Sequence, residues 1–159
     1  MGDFMKKTRY LLWVLFAELA GALSGLLSRG GMEEYSLYAQ KPPLSPPEWL
    51  FAPVWVLLYG LMGVGAARID ALPEGKGRSR GLNLFVAQLV VNFFWSPIFF
   101  NAQAYGAAFF WLLLLLTLAA AMTAAFYRED RLAGLLQIPY LLWLSFAAYL
   151  NYAVWQLNK

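Results

Sequence analysis

The fold class this sequence predicts is all-α: an integral membrane bundle of five transmembrane helices. Three observations carry that reading. Of 159 residues, 61% are apolar and only 13% charged, a balance suited to lipid and not to water. Five apolar runs each approach the roughly 20 residues a helix needs to cross the hydrocarbon. None of those runs alternates as the strands of a transmembrane barrel must, and helices and closed barrels are the two structures that satisfy backbone polar groups in lipid. No linker-like or low-complexity stretch divides the chain, so residues 1–159 read as a single domain.

The first run, Tyr10 to Leu27, follows Lys6, Lys7 and Arg9 and imitates a signal peptide. Its apolar stretch is too long for that role, so it is read as a retained span. A long loop, Arg29 to Pro46, comes next, rich in Gly, Tyr and Pro. Its prolines Pro42, Pro43 and Pro46, with Pro47 beyond, predict an extended, preorganised strap, because residues before proline avoid helical geometry. The second span runs from Pro47 to Ile69, and a charged loop, Asp70 to Gly81, leads to the third, Leu82 to Phe100. Very short connectors near Asn101 and at Arg128 to Arg131 bracket the fourth span, Tyr105 to Tyr127, and force its neighbours antiparallel. The fifth covers Leu132 to Leu157. Pro97 and Pro139 fall inside the third and fifth spans and should kink them, each freeing a carbonyl one turn earlier.

Basic residues orient the bundle. Lys6, Lys7, Arg9, Arg68, Lys76, Arg78, Arg80, Arg128 and Arg131 share one side, whereas Arg29, Lys41 and Lys159 take the other. The positive-inside rule then predicts a cytoplasmic N-terminus and an outward first loop and C-terminus, in a bacterial cell membrane. A net charge of +3 carried at span ends suits membrane flanks and gives no reason to expect nucleic acid as a partner.

The chemistry open to this chain is narrow. With no cysteine and no histidine, it lacks thiolate and imidazole ligands and the commonest general base, so no metal site is expected. The glycines at 75, 77 and 81 have the wrong spacing for a dinucleotide loop, and Ser24 lacks a nucleophile elbow. What remains is a set of inward stripes at helical spacing: Trp55, Tyr59 and Met62 on the second span; Gln88, Asn92, Trp95 and Phe99 on the third; Tyr140, Trp143, Ala147 and Asn151 on the fifth. Amides at membrane depth must face protein or a cavity. Each alone would serve as an interhelical hydrogen bond; beside aromatic neighbours they form the apolar wall with few polar groups that suits a small-molecule pocket. Glu18 is the one carboxylate in mid-span, expected as a neutral acid bonded to Ser24 or a facing helix, with a proton-handling role as the sharper alternative. Ala17, Gly21 and Gly25 form a small-residue ridge that fits either packing within the bundle or dimerisation.

Three blocks resemble a known family. The stretch from Lys41 to Gly60, KPPLSPPEWLFAPVWVLLYG, is similar to the first-loop and second-span signature of the translocator protein family, the tryptophan-rich sensory proteins (TspO/MBR). Gln88 to Phe100, QLVVNFFWSPIFF, resembles its third span, and Pro139 to Tyr152, PYLLWLSFAAYLNY, its fifth. The resemblance implies a five-helix bundle, commonly a homodimer, with a hydrophobic pocket lidded by the first loop. It implies porphyrins such as protoporphyrin IX, sterols or benzodiazepine-site drugs as ligands, and no tightly bound cofactor. Trp55 and Trp143 match the two tryptophans implicated in porphyrin chemistry. Asn92, Trp95, Phe99, Ala147 and Leu150 would line the same pocket, with Pro47, Trp49 and Tyr59 nearer its lid or second span. Arg29 and Lys41 could meet ligand carboxylates at the mouth.

The chain departs from the family pattern at Leu44, where relatives usually carry Trp, and at Tyr35-Ser36, where they carry Trp-Tyr. The sterol-recognition pattern also fails, since the spacing from Tyr152 to Lys159 is one residue too long. Three functions follow as expectations: a sensor, carrier or transporter of tetrapyrroles; a light- and oxygen-dependent porphyrin-degrading enzyme using Trp55 and Trp143; or a structural subunit of a larger membrane complex.

Overall fold

The computed structural model describes residues 1–159 and contains five helical segments long and apolar enough to cross a membrane. The first is α1, Gly2–Leu27, longer than the apolar run because its charged first turns continue the helix. Next come α2, Arg29–Tyr38, and α3, Glu48–Asp70. The third span is α4, Lys76–Ser96, prolonged by a π-helical turn over Pro97–Asn101. The fourth is α5, Tyr105–Glu129; the fifth is divided into α6, Arg131–Leu135, and α7, Ile138–Leu157.

Two sequence expectations need correction. The first loop is not a loop throughout: Arg29–Tyr38 is helical, and the proline strap at its end is interrupted by a turn at Pro43 and Leu44, where the Ser45 N–H bonds to the Pro42 carbonyl at 3.1 Å. Helix α2 forms despite Gly30 and Gly31 because it packs on the π-turn. A Cβ at Gly31 would fall 2.5 Å from the Phe100 backbone, while Tyr35 lies against Phe99, Phe100 and Tyr105. Nor does Pro139 kink a continuous fifth helix. The break comes earlier, at Leu136 and Gln137, and Pro139 stands in the first turn of α7, where its missing N–H costs nothing. Gln137 is fully buried at this break and donates to Leu61 O and Ala133 O, both at 3.2 Å. Gly65 makes the room: a Cβ there would sit 2.3 Å from the Gln137 amide nitrogen.

Pro97 behaves as its chemistry requires. Having no N–H, it leaves the Phe93 carbonyl free, and the Ser24 hydroxyl of α1 donates to that carbonyl at 2.6 Å. Ser24 therefore serves the carbonyl freed ahead of the π-helical turn and is not the partner of Glu18. The small-residue ridge is used within the chain. Ala17 is fully buried, Gly21 admits the Tyr59 ring, and Gly63 of α3 brings the α1 backbone so close that a Cβ would lie 2.5 Å from Val14 Cα. Gly25 faces open space. Glu18 rests half-buried against Gly60 of α3.

Ionic clamps tie the helix ends on the basic side. Asp70 accepts from the Trp13 indole at 3.1 Å and pairs with Arg9 at 3.3 Å and with Arg78, joining α1, α3 and α4. Asp130 caps α6 through the Ala133 N–H at 3.0 Å and pairs with Arg68 at 2.8 Å. Burial alone would push the Asp130 carboxyl up, but the Ala133 N–H and the Arg68 guanidinium outweigh it and hold the pKa below the usual carboxylate range. A depressed folded-state pKa gives stability that is present above the unfolded carboxylate pKa and lost as pH falls through the folded value. Asp130→Ala should therefore cost about 1–2 kcal/mol near neutrality, the size of a lost cap, and progressively less on acidification. Thermal unfolding in micelles across that range checks it; an equal loss at every pH would refute the assignment.

Candidate functional site

The interior between α3, α4 and α7 is organised differently from the rest of the bundle. Helix α7 packs closely on α5, and α1 on α3, whereas the α7 backbone stands away from α3 and α4. Long side chains from the three predicted stripes bridge that interval. The Tyr59 hydroxyl donates to Asn92 Oδ1 at 2.7 Å, Asn92 Nδ2 donates to the Tyr140 hydroxyl at 2.6 Å, and Tyr140 donates to Gln88 Oε1 at 2.7 Å. Gln88 Nε2 ends the chain on the Met62 sulfur at 3.4 Å. Every member is buried, and the sequential pairing answers the desolvation of each polar group.

The two tryptophans flank this network. Trp55 lies 5.5 Å from Tyr59, 6.4 Å from Tyr140 and 6.4 Å from Trp143 between ring centroids, the last pair edge to face at 89°. Phe51 closes on Trp143 at 5.8 Å. Both indoles are half-buried, so aromatic faces line the accessible side of a polar interior. Ala147 and Leu150, also half-buried, continue the α7 wall.

A second aromatic cluster adjoins it. Trp95 stacks on Phe99 at 4.9 Å and donates its indole N–H to Asn151 Oδ1 at 3.1 Å. Asn151 in turn donates to the Tyr105 carbonyl at 2.8 Å. Tyr35 of α2 covers Phe99 at 5.4 Å. Burial pushes the Tyr35 phenol up to about 12, with Tyr105 and Glu48 adding to the effect, so it remains a neutral cover.

The first loop is fastened across this end of the bundle. Gln40 exchanges two 2.9 Å hydrogen bonds with the Asn158 side chain. Lys41 donates to Ser36 O at 2.9 Å, pairs with Glu48 at 3.7 Å and sits 5.2 Å over the Tyr35 ring. Lys41 is thus already engaged, whereas Arg29 stands exposed. Pro47 and Trp49 are exposed as well, Trp49 at 73%, and neither joins the interior constellation. Of the residues expected at a pocket, Trp55, Tyr59, Asn92 and Trp143 come together, and Trp95 with Phe99 forms the adjoining cluster. Tyr140, Gln88 and Asn151 were legible as members of inward stripes, yet their place as hydrogen-bonding hubs was not. Phe51 lies in the signature stretch and Tyr35 stands where relatives carry tryptophan, yet neither was expected in an aromatic cluster.

Comparison with known proteins shows what the chain is similar to. The TspO/MBR family model matches residues 12–156. The chain is 39% identical over 151 residues to a Translocator protein of Bos taurus, covering 92% of this chain and 88% of the relative. It is 36% identical over 155 residues to Protein CrtK of Rhodobacter capsulatus, covering 97% and 95%. A Tryptophan-rich sensory protein of Cereibacter sphaeroides is 34% identical over 149 residues, 92% of each chain. With its helices in the expected order and the match running nearly end to end, this multi-pass membrane protein belongs to the TspO/MBR family.

Proposed function

We propose that the protein binds a porphyrin such as protoporphyrin IX, or a related hydrophobic ligand, between α3, α4 and α7, and acts as a sensor or transporter for it. The observation that carries this reading is the convergence of Trp55 and Trp143 beside the Tyr59–Asn92–Tyr140–Gln88 network. A macrocycle is flat and apolar and can stack on indole faces; its polar edge needs a few fixed donors and acceptors, and the network offers them. Because side chains and not packed backbones fill the interval, rotamer changes at Trp55, Trp143 and Phe51 can admit a ligand without separating the helices. Arg29, exposed at the start of α2, is free to meet a propionate, whereas Lys41 would have to leave Glu48 to do so.

The working assembly in this reading is a homodimer in a bacterial cell membrane, N-terminus cytoplasmic and C-terminus outside, as the basic residues favour. The test is quenching of tryptophan emission by protoporphyrin IX in Trp55→Phe and Trp143→Phe. Losing one indole contact should weaken binding about 5- to 10-fold, near 1 kcal/mol. Unchanged affinity in both variants would remove this interior from the account.

A further inference from the structure

The three cations at the loop end of the bundle are held differently. Arg29 is exposed, Lys159 lies 5.4 Å over the Trp155 ring, and Lys41 is the one that faces a carboxylate. Its amine donates to Ser36 O at 2.9 Å, rests 5.2 Å over the Tyr35 ring and stands 3.7 Å from Glu48 Oε1. The Ser36 hydroxyl donates to that same oxygen. Glu48 also opens α3, and a helix N-terminus favours negative charge. Ammonium, hydroxyl and helix end thus form a cradle for one carboxylate, and the chain fills it with its own. Ser36 is a position where the chain departs from the family pattern, so the resemblance does not supply this donor.

Two properties of Glu48 give the cradle a role beyond fastening the loop. Its side chain is 68% exposed, against 30% for Lys41, so it can leave into water, and exposed ion pairs are weak. It also heads a face of α3: Glu48, Phe51, Trp55 and Tyr59 follow one another at helical spacing. Glu48 stands seven residues, about 10 Å, from Trp55 along the helix. A ligand stacked on Trp55 with an acidic arm directed along that face meets Lys41 where Glu48 already sits.

We infer that Lys41 and Ser36 form a carboxylate subsite kept occupied by Glu48, a resident competitor that an acidic ligand must displace and that a ligand without a carboxylate leaves in place. The inference rests on the proposed porphyrin site and adds to it a control on which porphyrins that site prefers. While Glu48 is present, an acidic ligand exchanges one ion pair at Lys41 for another and gains little. With Glu48 neutral, Lys41 is left wholly to the ligand.

The test compares protoporphyrin IX with its dimethyl ester, which has the same macrocycle and no carboxylate, by quenching of tryptophan emission in wild type, Glu48→Gln, Lys41→Gln and the double variant. The readout is the ratio of the two affinities, because each porphyrin partitions into the micelle equally for every variant. Glu48→Gln should shift the ratio about fivefold toward the acid, the upper range for an exposed ion pair, by tightening the acid and leaving the ester unchanged. In the Lys41→Gln background the same change should move the ratio by at most about twofold, since exposed charges without a partner are screened. Glu33→Gln removes an exposed carboxylate from the same end and should leave the ratio unchanged. An unaltered ratio in Glu48→Gln, an equal shift in Glu33→Gln, or a full shift without Lys41 overturns the resident carboxylate while the porphyrin site stands. If neither porphyrin quenches the wild type, the porphyrin site itself falls, and this subsite with it.

Discussion

Gly63→Ala is expected to cost about 3 kcal/mol, and a larger residue at that position should prevent the bundle from assembling. The reason is geometric. A Cβ on Gly63 would lie 2.5 Å from Val14 Cα, 2.8 Å from Val14 N and 2.9 Å from the Trp13 carbonyl. All three are backbone atoms of α1, so no rotamer change can relieve them. The helix must move, and the α1–α3 interface moves with it. Overpacking that displaces backbone falls at the upper end of the roughly 1–3 kcal/mol range, and close helix approach is the main source of association energy in lipid. Gly25 supplies the control: nothing lies near its missing Cβ, so Gly25→Ala should be neutral or stabilise by up to about 1 kcal/mol through helix propensity. Thermal unfolding of both variants in micelles decides the matter. Equal effects at Gly63 and Gly25 would mean that the ridge does not hold α1 against α3.

That contrast bears on what the sequence could reveal. Ala17, Gly21 and Gly25 look alike as a spaced ridge, yet the first is buried, the second makes room for the Tyr59 ring of α3 and the third meets nothing. Spacing reports which residues share a face; it does not report where the neighbouring helix crosses. The spans themselves were legible because twenty-residue apolar runs have few alternatives in lipid. Helix α2 was not, since its Gly30, Gly31 and charged residues carry no helical signal and its stability comes from Tyr35 and Gly31 packing on the turn at Pro97–Asn101. The division of the fifth span was displaced for a similar reason. Proline pointed to residue 139, but the break is held by the buried Gln137 amide lodged over Gly65, a tertiary interaction that no local pattern announces.

Much of the candidate site was legible because polar residues in lipid have few places to go. Gln88, Asn92 and Asn151 were placed inward by cost alone, and all three are buried. Their partners required the fold. Asn92 could have bonded to any neighbouring helix, and it joins two tyrosines from different helices, Tyr59 of α3 and Tyr140 of α7. Trp49 shows the opposite case: a tryptophan in the signature stretch that is exposed on the isolated chain and makes no contact with the interior indoles.

Asn92 is therefore the residue whose loss should reach furthest into the site. Asn92→Leu keeps the branched shape at Cγ but removes both hydrogen bonds at once. The buried Tyr59 hydroxyl then loses its acceptor, whereas the Tyr140 hydroxyl still donates to Gln88. One stranded buried donor costs about 1–3 kcal/mol, while hydrogen bonds between membrane helices average well below 2 kcal/mol because the separated helices also find partners. The expected loss is about 2 kcal/mol, set by the stranded group more than by the bonds. A double-mutant cycle separates the two contributions. Tyr59→Phe in the Asn92→Leu background removes the stranded hydroxyl, so the double variant should be more stable than Asn92→Leu alone, with a coupling of about 1 kcal/mol. Additive losses would show that Tyr59 and Asn92 act separately and that the chain of hydrogen bonds from α3 to α7 does not behave as a unit. On the proposed function, Asn92→Leu should also weaken protoporphyrin quenching of tryptophan emission, because Trp55 rests on Tyr59 and loses that fixed floor when the Tyr59 hydroxyl is released.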